Sequence, residues 1–394
     1  MKHIHTRVRA RDIHEHDRAS TPLELLFDLT FVVAIGSLVA QLAHAVAEGR
    51  TAETIAPFVM VFFAIWWAWN QFTWLASAYD TDDVLYRLCV LVQMGGVLVL
   101  AAGVPAAFEH QDFAAITLGY FIMRLGLLGI ILRAMRDDPE TRGTSRRYFV
   151  GISVVQVGWL LAVIFNPGEF LVVVFVVLAA GELAVAPWAD RAGDLHWHPH
   201  HIAERYGLFT IILLGESVLA ATLAIQVAVA DGVTVELVAV GVCGLVLLFT
   251  LWWLYFSEPA GEGLEARRGR SYLWGYGHYF VFASLAATGA GLEIAVEAVG
   301  HHGEATPLTV GYALAIPVAL FLILLWLLYA PLLDHHVIHP AATVVASVLV
   351  LLVPLEAPVV GAVGTTLGIT VVCVGLLAVT IRRWSRMRAG VTTG

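Results

Sequence analysis

Seven charged or titratable side chains lie within or beside apolar runs that are long enough to cross a bilayer. They are Glu24, Asp28, Arg124, Glu204, Arg205, Glu216 and His278. A charge at the bilayer centre costs roughly 2.5–3.5 kcal/mol even on the lenient insertion scale, so each one needs a partner or a function. Carboxylates and arginines in such surroundings can bind a proton, bind an ion or anchor a charged solute.

Arg124 and Glu216 are the two most expensive of these charges, because each lies near the middle of its span. Their equal depth predicts an ion pair, since pairing lessens the cost of both charges. One interpretation makes Glu216 a proton-titrating group, with Arg124 as its counter-ion or as an anchor for an anionic substrate. The alternative is a salt bridge that only fixes helix packing.

The stretch Thr21-Pro22-Leu23-Glu24 has the pattern of a capping box with proline at the first helical position. The box gives Glu24 a structural role, which competes with a functional one. Asp28 lies one turn deeper and still needs a donor, for which Arg87 and Arg205 are at the right depth. We expect Glu24, Asp28, Glu204 and Arg205 near the cytoplasmic mouth of a polar centre formed by the first, fourth and seventh spans.

Histidines offer two further possibilities. His278 is either a hydrogen-bonded interior histidine or a proton relay, and the first is the more common arrangement. His196, His198, His200 and His201 form a cluster that is a weak candidate for zinc or nickel. No cysteine is nearby and no spacing fixes a tetrahedral geometry, so no metal is predicted.

The composition identifies a polytopic membrane protein. Of 394 residues 59% are hydrophobic and 13% charged, with a mean hydropathy of +0.81. The net charge of −9 argues against a nucleic-acid partner. Lys2 is the only lysine, so no Schiff base can form within the spans. Without a phosphate-binding loop or a catalytic triad, the sequence predicts neither an enzyme nor a cofactor.

Twelve runs can cross about 30 Å of hydrocarbon, and 340–382 is either two spans or one kinked element. Arginines concentrate in alternate loops and at both ends, which predicts that both termini are cytoplasmic in a bacterial inner membrane. No cleavable signal peptide is expected. The runs lie near 22–44, 54–78, 84–107, 113–134, 148–166, 169–188, 206–230, 234–257, 272–298, 308–331, 340–356 and 359–382.

Three short matches in chain order indicate an internal repeat. They pair Gly36 with Gly215, Trp66–Trp67 with Trp252–Trp253, and Tyr120 with Tyr312. Six spans per copy would make the two repeats parallel. The predicted organisation is an N-terminal segment (1–21), a first repeat (22–190), a His-rich cytoplasmic linker (191–205), a second repeat (206–382) and a cytoplasmic tail (383–394).

The stretches "ELLFDLTFVV" and "IAERYGLFTIILLGESVL" resemble the two motifs of the bacterial low temperature requirement A protein family. The resemblance covers most of the chain and implies a polytopic membrane protein named for a cold-growth phenotype. The family's acidic and arginine positions carry over as Glu24, Asp28, Glu204, Arg205 and Glu216. A remoter likeness is to a two-repeat, twelve-span endolysosomal cation channel family, whose Phe-Ser-Asp motif is matched here only by Phe27-Asp28.

The function predicted from these features is proton-coupled secondary transport of a small solute, with the lipid bilayer and that solute or proton as partners. A cation or proton channel and a non-transporting membrane sensor or assembly protein remain alternatives. The sequence leaves the solute unidentified, and it leaves open whether the protein forms a homo-oligomer.

Overall fold

The structure is a computed structural model that describes residues 6–8, 19–79, 81–193, 197–230, 232–300, 305–333 and 335–391. Its regular elements in these ranges are all helical. The α-helices are α1 (Pro22–Ala47), α2 (Thr51–Ala78), α3 (Val84–Ala102), α4 (Val104–His110), α5 (Ala114–Asp137), α6 (Arg142–Phe165), α7 (Leu171–Ala189), α8 (Pro199–Ala230), α9 (Val235–Tyr255), α10 (Ala260–Ala266), α11 (Ser271–Val299), α12 (Pro307–Tyr329), α13 (Pro340–Leu352) and α14 (Ala357–Val391).

Within the described residues, eleven helical segments are long and apolar enough to cross a membrane. Ten of them correspond to the first ten predicted spans. The eleventh, Pro340–Met387, covers the two last predicted spans and is 48 residues long. A straight helix of that length would measure about 72 Å, more than twice the hydrocarbon thickness.

The chain folds back on itself within this last segment, at Gly361. Gly361 has φ +67° and ψ −170°, a backbone conformation that glycine adopts without a steric penalty. A Cβ added at Gly368 would lie 2.9 Å from Cγ1 of Val353, fifteen residues earlier in the chain. In a straight helix those residues would be about 22 Å apart, so the segment consists of two arms that pack against each other.

Local sequence signals account for several helix starts. Asp83 caps α3 by accepting a hydrogen bond from the Tyr86 amide at 2.8 Å, and Thr234 caps α9 in the same way. The start of α8 differs from the prediction, because the helix begins at Pro199 and not at residue 206. Nδ1 of His198 accepts from the His201 amide at 3.3 Å, so the histidine-containing stretch caps and opens this helix.

The helices form two compact units. Unit 1 comprises residues 1–38 and 55–205, and unit 2 comprises residues 39–54 and 206–394. The boundaries fall inside α1, α2 and α8. In unit 1 the most extensive packing joins α3 to α5, and a Cβ at Gly119 would lie 2.4 Å from the backbone nitrogen of Leu100. In unit 2 the corresponding pair is α11 and α12, where Gly291 approaches the backbone of Ala313 equally closely.

Candidate functional site

A buried ion pair in unit 1 joins α1 to the first turns of α8. Arg205 binds Asp28 with both ends of its guanidinium, Nη2 to Oδ1 at 2.5 Å and Nε to Oδ2 at 3.0 Å. The Trp69 indole on α2 donates to Oδ1 of Asp28 at 2.8 Å. Arg205 is therefore the donor of the two predicted ones that Asp28 uses, while Arg87 binds Asp82. The bidentate geometry is the strong form of this interaction.

Glu24 caps α1 and also contacts Arg205 and His201. One oxygen accepts from the Thr21 amide at 2.7 Å while the Glu24 amide donates to Thr21 Oγ1 at 3.2 Å, which confirms the capping box. The other oxygen lies 3.4 Å from Nη1 of Arg205 and 3.4 Å from Nε2 of His201. We call this group, made of Glu24, Asp28, Trp69, His201 and Arg205, the Asp28 cluster.

Glu204 lies at the protein surface, close to the start of α1. Glu204 is exposed and accepts from the Ser20 amide at 3.2 Å, because its neighbour Arg205 occupies the buried side of the helix. Among the described residues no group of three His, Cys, Asp or Glu side chains is arranged to hold a metal ion. His198, His200 and His201 are included in that statement, and His196 lies outside the described residues.

Arg124 lies in a second buried cluster of unit 1, and its partner corrects the prediction. Among the described residues, the carboxylate that Arg124 contacts is Glu182 on α7, with Nη2 and Oε1 3.1 Å apart, whereas the sequence analysis expected Glu216. Arg124 also donates to the Tyr120 hydroxyl and lies over the Tyr120 ring, 4.3 Å from its centroid. Relative exposure is 2% for the Arg124 side chain and 0% for Glu182.

Five donors converge on the Glu182 carboxylate. Oε1 accepts from Arg124 at 3.1 Å, Tyr120 at 3.1 Å and Trp159 at 3.3 Å, while Oε2 accepts from Trp67 at 3.0 Å and Gln71 at 3.3 Å. An ionised carboxylate has about four lone-pair sites, so this one is saturated. The arrangement, which we call the Glu182 cluster, leaves this carboxylate no free acceptor site for a further donor.

Two cavities enter unit 1 from opposite ends. At the end where α1 begins, a cavity of about 310 Å³ is lined by Glu24, Tyr79 and Tyr86, among others. At the end where α4 finishes, a cavity of about 250 Å³ is lined by Phe63, Tyr120 and Trp159, among others. We call them the Pro22-end and His110-end cavities. Each reaches residues of one buried cluster.

Helix α2 separates the two clusters within unit 1. Trp69 donates to Asp28, whereas Trp67 and Gln71, each two positions away, donate to Glu182. Residues two apart on a helix point to different sides, so α2 contributes to both clusters at one level. Along α2 the lining residues Ala64 and Ala76 of the two cavities are twelve positions apart, about 18 Å.

A third ion pair joins Asp83, in the loop before α3, to Arg133 near the end of α5, and it holds the described N-terminal residues. Arg133 binds Asp83 at 2.5 and 2.9 Å, and the Thr6 amide donates to Asp83 at 2.7 Å. Burial raises the pKa of Asp83, but the hydrogen bonds from Arg133 and from the Thr6 and Tyr86 amides outweigh it and hold the pKa below its usual value. Val8 is buried against Tyr79 at this position.

Glu216 belongs to unit 2, on α8. It is 7% exposed, and its Oε2 is buried without a hydrogen-bond partner among the described residues. Glu293 on α11 also has a buried, unpartnered Oε2 and interacts electrostatically with Glu216 and Glu297. A Cβ at Gly289 would lie 2.6 Å from Oγ of Ser217, so α8 and α11 pack closely beside these carboxylates.

His278 is the hydrogen-bonded interior histidine of the two alternatives. Its Nδ1 lies 2.8 Å from the Trp274 carbonyl oxygen and its Nε2 lies 3.1 Å from the Tyr255 hydroxyl. The carbonyl can only accept, so these partners assign the proton to Nδ1 and leave Nε2 to accept from Tyr255. Rings of Tyr206, Trp274 and Phe282 surround the imidazole. His278 thus organises the aromatic core of unit 2.

Comparison with known proteins decides the family. The model of the bacterial low temperature requirement A protein (LtrA) family matches residues 19–380, which is nearly the whole chain. The chain belongs to the LtrA family. This membership confirms the resemblance seen in the two motifs, and with the apolar helices it makes the chain an integral membrane protein.

The chain is also similar to an individual bacterial protein. A protein of Rhizobium meliloti (strain 1021), described as uncharacterized, is 27% identical over 313 residues, which cover 75% of this LtrA chain and 74% of that protein. No solved structure matches the chain. This similarity extends over most of both chains, but the description of the relative names no activity that could be compared.

Sequence reasoning missed Glu182 and the tryptophans that bind it. Glu182 was not among the predicted site residues, yet α5 and α7 both begin at the His110 end, and Arg124 and Glu182 lie ten and eleven residues into them. The equal depth of Arg124 and Glu182, counted from the same end of unit 1, was the signal in the sequence that could have predicted this pair. Trp67 and Trp69 lie in the core as hydrogen-bond donors, although tryptophans in membrane proteins are most often found at the interfaces.

Proposed function

We propose that this LtrA-family protein is a proton-coupled secondary transporter of a small solute in the bacterial inner membrane. The observation that carries the proposal is the pair of cavities that enter unit 1 from opposite ends and each reach a buried ion-pair cluster. Buried charges of this kind mark substrate or ion pathways in membrane proteins more often than they serve as packing alone.

The cavities belong to opposite sides of the membrane if the positive-inside rule holds. Arginines cluster at the Pro22 end of unit 1, and neither 103–113 nor 166–170, at the His110 end, contains Lys or Arg. The Pro22-end cavity is then cytoplasmic and the His110-end cavity faces outward. The arginines at the Pro22 end are Arg87, Arg133, Arg136, Arg142, Arg146, Arg147 and Arg191.

A repeated six-helix plan with twelve crossings and both termini cytoplasmic completes the proposal. In this proposal the two arms on either side of Gly361 are the eleventh and twelfth crossings. The order of packing supports the repeat, since α3–α5, α5–α6 and α6–α7 in unit 1 correspond to α11–α12, α12–α13 and α13–α14 in unit 2. The contact between α2 and α7 likewise corresponds to the packing of α9 on α14. Repeats of this kind are one of the known transporter plans.

Glu216 is the proposed proton-binding group. A buried carboxylate oxygen without a donor is costly as an anion, and Glu293 nearby adds repulsion. A bound proton relieves both costs, and a change of surroundings that releases it would couple proton movement to transport. Glu182, by contrast, already accepts from five donors, and we assign the Arg124–Glu182 pair the role of shaping the pathway.

The alternatives differ in measurable ways. A channel requires a continuous polar lining, and single-channel currents would separate it from a carrier. A sensor or assembly protein would use the Glu182 cluster only for packing. In that case, replacing Arg124 and Glu182 together by apolar residues of similar size would preserve function.

The test is proton flux in proteoliposomes with an internal pH-sensitive dye and an imposed pH gradient, across a panel of added solutes. We expect solute-dependent proton movement that Glu216→Gln abolishes and that the exposed control Glu236→Gln retains. Folding of each variant is checked by thermal unfolding in detergent. Undiminished flux in a folded Glu216→Gln protein would refute the role of Glu216, and silent wild-type vesicles over the whole panel would refute transport.

A further inference from the structure

The His110-end cavity has an aromatic wall built from three elements of unit 1. Phe175 on α7 stands edge-to-face against Phe63 on α2, with centroids 5.5 Å apart and planes at 80°. Trp159 on α6 lies 5.4 Å from Phe175 at 60°. With Tyr120 and Phe113, five aromatic residues line a space of about 250 Å³.

Two of these rings turn their polar atoms away from the cavity. The Tyr120 hydroxyl and the Trp159 indole nitrogen both donate to Oε1 of Glu182, deeper in unit 1. The Trp159 ring and the part of the Tyr120 ring that Arg124 does not cover are therefore left to line the cavity. Aromatic faces carry the negative part of the ring quadrupole and attract cations. Donation to a carboxylate adds electron density to both rings and strengthens that attraction.

The charge around the cavity also favours a cation. No lysine or arginine lines the cavity, and Asp112 lies at its rim. Asp112 precedes Phe113, the N-cap residue of α5; its Oδ1 accepts from the Ala114 amide at 2.9 Å, and its side chain is exposed. Arg124, the nearest cation to Tyr120, is already neutralised by Glu182. His110 also lines the cavity, so an anionic ligand would find aromatic faces, the Asp112 carboxylate and one imidazole, with no lysine or arginine among the lining residues.

We propose that the His110-end cavity binds a small organic monocation with an alkylated ammonium group. A cavity below the usual range of about 300–1,000 Å³ for drug-sized ligands holds a compact head group. Several aromatic faces around one space are the usual site for quaternary ammonium recognition. The binding stands on the cavity alone, whereas transport of this cation rests on the function proposed above.

The experiment measures binding to the full-length protein in lipid nanodiscs by isothermal titration calorimetry. The probes are choline and 3,3-dimethyl-1-butanol, which has the same shape without the charge. We expect choline to bind at least about tenfold more tightly than the alcohol, because only the cation gains from the ring quadrupoles. Equal affinities, a preference for the alcohol, or no detectable binding of choline would each overturn the proposal.

Four variants locate the site. Phe175→Leu keeps an apolar side chain but removes a ring, so choline affinity should fall by about tenfold, while Phe175→Tyr should retain most of it. Phe170→Leu, on an exposed ring outside the cavity, should leave affinity unchanged. Asp112→Asn keeps an oxygen that can accept from the Ala114 amide and removes the charge, so it should weaken choline binding and leave the alcohol unaffected. Unchanged choline affinity in folded Phe175→Leu would refute this site.

Binding and transport are separated by their results. Choline binding with vesicles that stay silent for every solute would overturn the transport proposal and leave the cation site intact. Proton flux that depends on Glu216 in a protein that does not bind choline would do the reverse.

Discussion

Replacing Glu182 by glutamine removes the counter-charge of a buried arginine while changing the shape of the side chain very little. One carboxylate oxygen becomes an amide NH₂ group, which cannot accept a hydrogen bond. If Oε2 is replaced, Trp67 and Gln71 lose their acceptor; if Oε1 is replaced, the other three donors lose theirs. Hydrogen bonds inside membrane proteins contribute about 0.6 kcal/mol each on average, so these losses alone amount to about 1–2 kcal/mol.

The charge is the larger contribution. Breaking a buried ion pair by removing one partner costs about 3–5 kcal/mol, because the remaining charge is left uncompensated. Arg124 also has a buried Nε without a partner among the described residues, which leaves it no alternative ion pair. We therefore expect Glu182→Gln to lower the free energy of unfolding by about 3–5 kcal/mol, with the charge contributing more than the lost hydrogen bonds.

The assay is reversible unfolding in mixed micelles with increasing SDS, followed by tryptophan fluorescence. The control Glu169→Gln changes an exposed glutamate just before the same helix and should stay within about 0.5 kcal/mol of wild type. Adding Arg124→Met to Glu182→Gln should recover part of the loss, because the unpaired charge is gone. A loss below about 1 kcal/mol in the single variant, or a double variant less stable than the single, would refute the reasoning.

Three further predictions concern packing, pH and geometry. Gly96→Ala should destabilise the α3–α5 pair by about 1–3 kcal/mol, because its Cβ would lie 2.6 Å from a backbone oxygen. Gly95→Ala, with nothing within 4 Å of its Cβ, should be neutral or stabilise the protein by up to about 1 kcal/mol. Thermal unfolding that ranks the two variants the other way would contradict this packing. Because the pKa of Asp83 is lowered in the folded protein, the stabilisation by Asp83 is present above its ordinary pKa of 3.8 and disappears as pH falls through the lower folded value. The difference in melting temperature between wild type and Asp83→Asn should therefore shrink below pH 3.8. A constant difference would exclude this linkage. Arg205→Lys keeps the charge but loses the bidentate hydrogen bonds to Asp28, so it should lower stability by about 1–3 kcal/mol in thermal unfolding. Arg87→Lys, in an exposed ion pair, should lower stability by under about 1 kcal/mol. Equal losses of stability would argue against a special geometry at Arg205.

Local signals in the sequence were sufficient for the helices and for one cluster. The run Thr21-Pro22-Leu23-Glu24 predicted both the start of α1 and its capping hydrogen bonds. Asp28 needed a donor at its own depth, and Arg205 was one of two arginines that met this requirement. The helix start and the Asp28–Arg205 pair depend on neighbouring residues in the chain or on depth in the membrane. Both can be read from the residue types and from the positions of the apolar runs.

The partner of Arg124 required information that depth alone does not contain. Glu216 and Glu182 both lie near the middle of a span, and only the packing of α5, α6 and α7 in unit 1 selects Glu182. The same holds for Trp67 and Trp69, whose burial depends on which side of α2 faces the two clusters. Hydropathy is equal on all sides of such a helix, so it does not identify the face that packs.

The 177 residues that separate Asp28 from Arg205 have a consequence for biogenesis. At about 5–20 residues per second, the ribosome needs about 10–35 s after α1 emerges before the arginine is synthesised. Throughout that interval the carboxylate has no guanidinium partner, and a proton is the simplest substitute for it. Unit 1 can therefore complete its ion pair only after the start of α8 has left the ribosome. A nascent chain stalled before α8 should be a substrate for the quality-control proteases of the membrane.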